Sequence, residues 1–224
     1  MKISLLLLVL ISEQSYAATL EGPSQSSGRL LAGLTLRTET GDWMLESLKV
    51  TFRGHEEELL MGEGRIITPR EGGFEAAESF IIDGENHYQV WATAFLEANC
   101  LHLEVTGDEV VGWEAGWRAE DTPITRLFLS KGFVLDKPTI PYELRYPVMG
   151  HATYIRGHGL ETEKGALYCL VDGVATRFWC DGPKGRFALA ASCGTEAMRF
   201  YWGAKPFARL LLGLRDEVAL KLPD

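Results

Sequence analysis

The chain has 224 residues, with 22 Lys and Arg against 31 Asp and Glu, and four cysteines. Its formal net charge of −9, with no run of basic residues, excludes the clustered Lys/Arg surface that counterion release from a nucleic acid requires. The length suffices for one large β domain or two small ones.

The first residues, MKISLLLLVLISEQSYAATL, carry Lys2, an apolar run from Ile3 to Ile11 and a small-residue end at Tyr16-Ala17-Ala18. That is the layout of a cleaved secretory signal, and the run is too short for a membrane span. The expectation is a signal peptide over residues 1–17 and a mature chain from Ala18, secreted or periplasmic; an uncleaved anchor is the rival. Removing residues 1–17 takes away one base, Lys2, and one acid, Glu13, so the balance of −9 is unchanged.

From Arg29 onward the apolar residues alternate with period two. Leu48, Val50 and Phe52 share one face against Lys49, Thr51 and Arg53, and Leu101, Leu103 and Val105 oppose His102, Glu104 and Thr106. Such alternation marks half-buried antiparallel strands. Turn signals punctuate them at Thr40-Gly41-Asp42, Asp83-Gly84, Gly107-Asp108, Asp172-Gly173 and Asp181-Gly182-Pro183-Lys184-Gly185. GFEAAESF and QVWATAFLEANC are the best helical candidates; both are short, and the second suits a strand at least as well. The fold class expected is all-β, a large antiparallel sandwich of supersandwich type with little helix, forming a single domain over 18–224.

LYCLVDGVATRFWC reads as a hairpin, its Asp172-Gly173 pair supplying a type I′ turn that sets Val171 opposite Val174. Prolines 138, 141 and 147 interrupt DKPTIPYELRYPVMG, which either connects two sheets or marks an edge. Cys100, Cys169, Cys180 and Cys193 could form a disulfide after export or remain buried thiols, and the sequence does not choose among the three connectivities.

The stretch GWEAGWRAEDTP, residues 112–123, sets Trp113 and Trp117 four positions apart among charged side chains. Flat aromatic faces beside polar groups are what a pyranose requires, because its C–H faces pack on rings while its hydroxyls need donors and acceptors. In a strand, however, this spacing puts both indoles on one face, and if that face is the inner one they are core. Trp113, Glu114, Trp117 and Arg118 are therefore candidate ligand contacts, joined by His151, which enters directly after Gly150 in GHATYIRGHG. The seven-residue interval from His151 to His158 is not a metal-ligand pattern, there is no CxxC, and RGHEEELL lacks the second histidine of a metalloprotease. No metal is expected.

Catalytic signals are sparse. There is no GxSxG, and Ser130 and Ser192 stand in ordinary strand text. A glycosidase needs two carboxylates; Glu114, Glu120, Asp121 and Glu143 are candidates, but sequence does not pick the pair. GEG at 62–64 and EGG at 71–73 lack the lysine and helix of a phosphate loop, so no cofactor is implied.

Residues 132–173, GFVLDKPTIPYELRYPVMGHATYIRGHGLETEKGALYCLVDG, resemble a stretch of the galactose-mutarotase-like β-supersandwich domains of secreted bacterial glycosidases. The elements that carry the resemblance are Gly132-Phe133 with Pro138, then Gly150-His151, then Glu163-Lys164-Gly165-Ala166-Leu167. It implies the supersandwich fold and a carbohydrate context, in which such a domain precedes a catalytic barrel and helps to shape it. No such barrel follows in this sequence, so a catalytic partner domain or chain is expected elsewhere; the family's acid and base residues are not carried over.

The leading expectation is thus a secreted module that binds a poly- or oligosaccharide or supports a glycosidase without its own catalysis. Two alternatives stand beside it: a glycoside hydrolase, lyase or sugar epimerase using a carboxylate with His151 or His158, and a structural or assembly module with exposed sheet edges.

Overall fold

The computed structural model describes residues 17–23, 29–54, 61–82, 84, 86–129, 134–145, 157–192 and 197–214. Among the described residues sixteen strands form two antiparallel sheets packed as a sandwich. The seven-stranded sheet runs, edge to edge, β1 (Ala18–Glu21), β2 (Thr35–Thr38), β3 (Trp43–Phe52), β8 (Val110–Ala119), β15 (Arg186–Ser192), β14 (Ala175–Asp181), β11 (Tyr142–Arg145). The nine-stranded sheet runs β10 (Val134–Asp136), β9 (Ile124–Phe128), β12 (Gly157–Thr162), β13 (Ala166–Asp172), β16 (Ala197–Gly203), β7 (Cys100–Gly107), β6 (Asn86–Glu97), β5 (Gly73–Ile82), β4 (Met61–Arg70).

The period-two alternation fixes which side chains meet between the sheets. On β7, Leu101, Leu103 and Val105 are buried; on β8, Trp113, Ala115, Trp117 and Ala119 are. Aromatic rings bridge the sheets: Trp117 lies 4.9 Å from Phe200, His158 4.3 Å from Phe178 and Phe52 5.4 Å from Phe80. GFEAAESF lies within β5, and QVWATAFLEANC runs along β6 through the turn at Ala98-Asn99 to Cys100, the first residue of β7.

Two local expectations are corrected or refined. Asp172-Gly173 is not a hairpin turn: β13 pairs with β12 and β16, whereas β14 pairs with β15 and β11, so the chain crosses there from the nine-stranded to the seven-stranded sheet. Gly173 has φ of 158°, extended backbone rather than the left-handed conformation a type I′ turn demands. The proline-rich segment both connects the sheets and marks edges, since β10 and β11 each lie at the edge of a different sheet. Cys169 and Cys180 lie in different sheets and are both buried free thiols. Cys193 lies outside the described residues.

A seven-residue helix, α1 (Phe207–Gly213), covers part of the outer face of the nine-stranded sheet. Its Phe207 ring stacks on Phe128 at 4.4 Å and occupies space that a side chain at Gly159 would fill. The Phe207 N–H donates to the buried Glu161 carboxylate. Behind it Leu214, Leu170, Tyr201 and Cys100 form a second apolar cluster. Among the described residues no helix is long and apolar enough to cross a membrane.

Candidate functional site

The parity of β8 divides GWEAGWRAEDTP into two chemistries. Trp113 and Trp117 point inward and are 3% and 2% exposed, so neither ring offers a face that a pyranose could reach in this conformation. Each indole N–H lacks a hydrogen-bond partner among the described residues, which also fits packing rather than ligand contact. Glu114, Gly116 and Arg118 point the other way, onto the outer face of the seven-stranded sheet. His151 lies outside the described residues.

The strand registers extend that outer face from β8 into three neighbours. Glu114 is level with Lys49 of β3 and with Ala190 of β15, and Ala190 is level with Arg177 of β14. Gly116, Ala188 and Trp179 follow in the next outward row, with Glu143 of β11 beside Trp179. Arg118 and Arg186 stand opposite each other one row further. The floor at Gly116, Ala188 and Ala190 is thus made of small residues, and the half-buried Trp179 is the indole this face carries. A Cβ at Gly116 would meet the Ser47 hydroxyl, which would have to swing aside to admit it.

Charges close around the floor. Arg177 donates through Nη1 to Glu114 Oε2 at 3.0 Å and through Nε to Glu143 Oε1 at 2.9 Å, and Arg145 Nε reaches the same Glu143 oxygen at 2.8 Å. Lys49 Nζ lies 3.6 Å from Glu114 Oε1. At the other end Glu46 faces both Arg186, at 2.9 Å, and Arg118, at 3.3 Å. Glu46 is the extra residue of a bulge between Leu45 and Ser47, which re-aims its side chain toward the two arginines. The hydrogen bond from Arg145, with the nearby Arg177 charge, holds the Glu143 carboxyl below the ordinary carboxylate range, so it accepts hydrogen bonds and does not donate them.

Of the carboxylate candidates, the structure brings Glu114 and Glu143 onto one guanidinium. Glu120 and Asp121 lie apart, in a cleft of about 530 Å³ at the end of β8 lined also by Arg118, Thr122, Pro183 and Lys184. Glu120 is tied there to Arg37, at 2.8 Å, together with Asp42 and Glu21. His158 is not at this surface: it is buried against Phe178, and burial lowers its imidazole to about 4, so it is neutral near pH 7. Among the described residues no three His, Cys, Asp or Glu side chains converge as metal ligands.

Trp179 was visible in the sequence as one of six tryptophans but not as a site residue. The signal that places it is the alternation in Arg177-Phe178-Trp179-Cys180, whose second and fourth members are core and whose first and third face outward.

Two antiparallel sheets of seven and nine strands, packed face to face with little helix, form a large β-supersandwich among the described residues. No protein-family model and no curated protein matches the chain. Solved structures do: a quadruple mutant of the alpha-N-acetylgalactosaminidase NagBb from Bifidobacterium bifidum superposes with a TM-score of 0.59 at 11% identity, covering 94% of this chain and 38% of that one. The GalNAc complex of the same NagBb gives 0.59 at 10% identity over 84% of this chain and 36% of that one. A putative aldose 1-epimerase from Escherichia coli K12 gives 0.45 at 10% identity, covering 84% of this chain and all of that one. The chain therefore spans little more than a third of the length of NagBb, and the likeness is one of fold.

Proposed function

We propose that this chain is a secreted carbohydrate-binding or glycosidase-supporting module that holds a saccharide on the outer face of its seven-stranded sheet and performs no chemistry there. The observation that carries the reading is the half-buried Trp179, set beside the small floor of Ala188 and Gly116 and rimmed by Glu114, Arg177 and Glu143. The indole supplies a face for C–H groups, and the rim supplies charge-assisted partners for hydroxyls. A general acid needs a carboxyl held protonated near neutral pH, whereas Glu143 is pushed the opposite way by arginine. The fold likeness to little more than a third of a glycosidase, one structure of which is a GalNAc complex, supports a carbohydrate context and a catalytic partner domain or chain.

The catalytic reading keeps one observation in its favour, that a single guanidinium holds Glu114 and Glu143 together. One experiment separates the two. Galacto-configured and other oligosaccharides are screened by thermal shift with reducing-end release read in the same wells, and the monosaccharide GalNAc is screened for a shift alone. A shift without release, lost in Trp179→Ala, is expected. Release abolished by Glu114→Gln would replace binding with catalysis, and no shift with any saccharide would sink both. Sequencing the N-terminus of exported protein tests secretion, with Ala18 the expected first residue.

A further inference from the structure

The outer face of the seven-stranded sheet breaks an ordinary rule of strand pairing twice. Like charges placed directly opposite on neighbouring strands destabilise a sheet. Here Arg186 is paired with Arg118 across β15 and β8, and Arg177 with Arg145 across β14 and β11. Each pair is held by one bridging carboxylate, Glu46 for the first and Glu143 for the second. Sequences that specify only a fold avoid such conflicts, and where a local rule is broken the compensation usually lies in function.

The count of charges follows. The central rows carry five cations, Lys49, Arg118, Arg145, Arg177 and Arg186, against the carboxylates Glu46, Glu114 and Glu143, while Asp181, level with Arg186, is buried and paired with Lys184. The face is net positive on a chain whose formal charge is −9. The excess is divided between its two ends, with Arg118 and Arg186 at one and Arg145 and Arg177 at the other. Arg186 stands level with Asp181 and Arg177 lies four residues earlier on the same strand, so the pairs are about 13 Å apart along the strands. Between them lie Trp179 and the small floor. Beyond Arg118 the sign reverses, because Glu21, Asp42 and Glu120 surround Arg37.

From this arrangement we infer that the ligand is an acidic glycan, an oligosaccharide bearing at least two carboxylate or sulfate groups, each taken by one arginine pair while an intervening ring lies on Trp179. The inference rests on the proposed saccharide-binding role of the face and names the chemistry of what it binds. Glu46 already takes Nε and Nη2 of Arg186, and Glu143 and Glu114 take Nε and Nη1 of Arg177, so an incoming carboxylate or sulfate would be met by the remaining guanidinium N–H donors of the pairs, which suit either anion. The two pairs set a minimum length, because a monosaccharide reaches only one of them. The acidic cluster past Arg118 repels a further anion and so limits how far the chain extends in that direction.

The test uses the full chain and three sets of probes, compared in low and moderate salt: oligogalacturonates for carboxylate, sulfated galactan oligomers for sulfate, and neutral galactan oligomers. Expected are tighter binding of at least one acidic set than of the neutral one, a steep loss of affinity with salt, and a drop of about tenfold or more for acidic oligomers in both Arg186→Gln and Arg177→Gln that clearly exceeds the drop for neutral ones. Whichever acidic set binds names the anion. Equal, salt-insensitive binding of neutral and acidic oligomers overturns the inference and leaves the saccharide reading intact, whereas no binding of any saccharide removes that reading as well. Inorganic polyphosphate binding as tightly as the glycans, with Trp179→Ala unaffected, also overturns it, because the face would then recognise charge alone. The salt dependence is read on unaltered protein, so the test survives a variant that folds poorly.

Discussion

Trp117 of β8 meets Phe200 of β16 with ring centroids 4.9 Å apart and planes tilted by 56°, joining the two sheets at the centre of the sandwich. The contact explains why an aromatic residue in a charged sequence stretch is inaccessible: its strand neighbours Glu114 and Arg118 take the outer face, and the alternation leaves the indole no other direction. Trp117→Ala removes one of the largest fully buried side chains. The expected loss is about 3–5 kcal/mol of unfolding free energy, seen in urea melts. Trp117→Phe keeps a ring against Phe200 and forfeits no hydrogen bond to a described residue, so it should cost well under half as much. Equal losses in the two variants would contradict this account of the indole.

Much of this architecture was legible because period-two alternation is local. The burial of Leu101, Leu103 and Val105 follows from residues two apart, and so does the sorting of Trp113 and Trp117 from Glu114 and Arg118. What alternation leaves open is which face is inner, and there the structure decides for the core. Pairing partners are not local. Glu143 and Arg177 are 34 residues apart and meet only because β11 adds to the edge of β14. Asp172-Gly173 shows the reverse failure: a dipeptide suited to a tight turn instead carries the chain across to the other sheet, because β14 finds its partners in β15 and β11 rather than in the strand before it. The α1 helix was missed for a related reason, since seven residues hold too few turns to display a helical period, and its position depends on Glu161, 46 residues earlier.

His158 makes acid stability a test of core burial. Its imidazole is lowered from 6.5 to about 4 by desolvation. Between those values the unfolded chain binds a proton that the folded chain does not, so this contribution is constant above about pH 6.5 and stability falls as pH drops toward 4. From pH 7 to pH 5 the His158 share amounts to about 2 kcal/mol. His158→Phe, which keeps a ring beside Phe178, should flatten the stability-pH curve by that amount in parallel urea melts. Identical slopes for the two proteins would mean that the imidazole takes up its proton without unfolding.

Glu161 should govern the docking of α1. Its carboxylate is 6% exposed, and it accepts the N–H of Phe207, the first residue of the helix. Glu161→Ala leaves that buried donor unpaired, a loss of about 1–3 kcal/mol. Hydrogen exchange should accelerate over residues 207–213 while β8 stays protected, because the helix lies on the outer face and the inter-sheet core does not depend on it. Glu161→Gln retains an accepting oxygen and should recover most of the protection. Uniform acceleration throughout the chain, with no recovery in the glutamine variant, would instead make Glu161 a general support of the fold.

Glu46 is the remaining case, and it separates the intrinsic repulsion of an arginine pair from its use. The carboxylate bridges Arg118 and Arg186, whose side chains are 39% and 41% exposed, so solvent screens much of the interaction. Glu46→Gln leaves two guanidiniums opposite each other, and the expected loss is about 1 kcal/mol at low ionic strength, shrinking as salt is added. Adding Arg118→Gln to Glu46→Gln should restore most of that stability, because only one cation then remains at the position. Stability measured through this double-mutant cycle in low and high salt gives the coupling directly. A coupling near zero in low salt would mean that the two arginines already turn away from each other into solvent. A coupling present in low salt and abolished in high salt would show that the two arginines repel each other across the strands, and that Glu46 offsets this repulsion and so allows both to remain on one face.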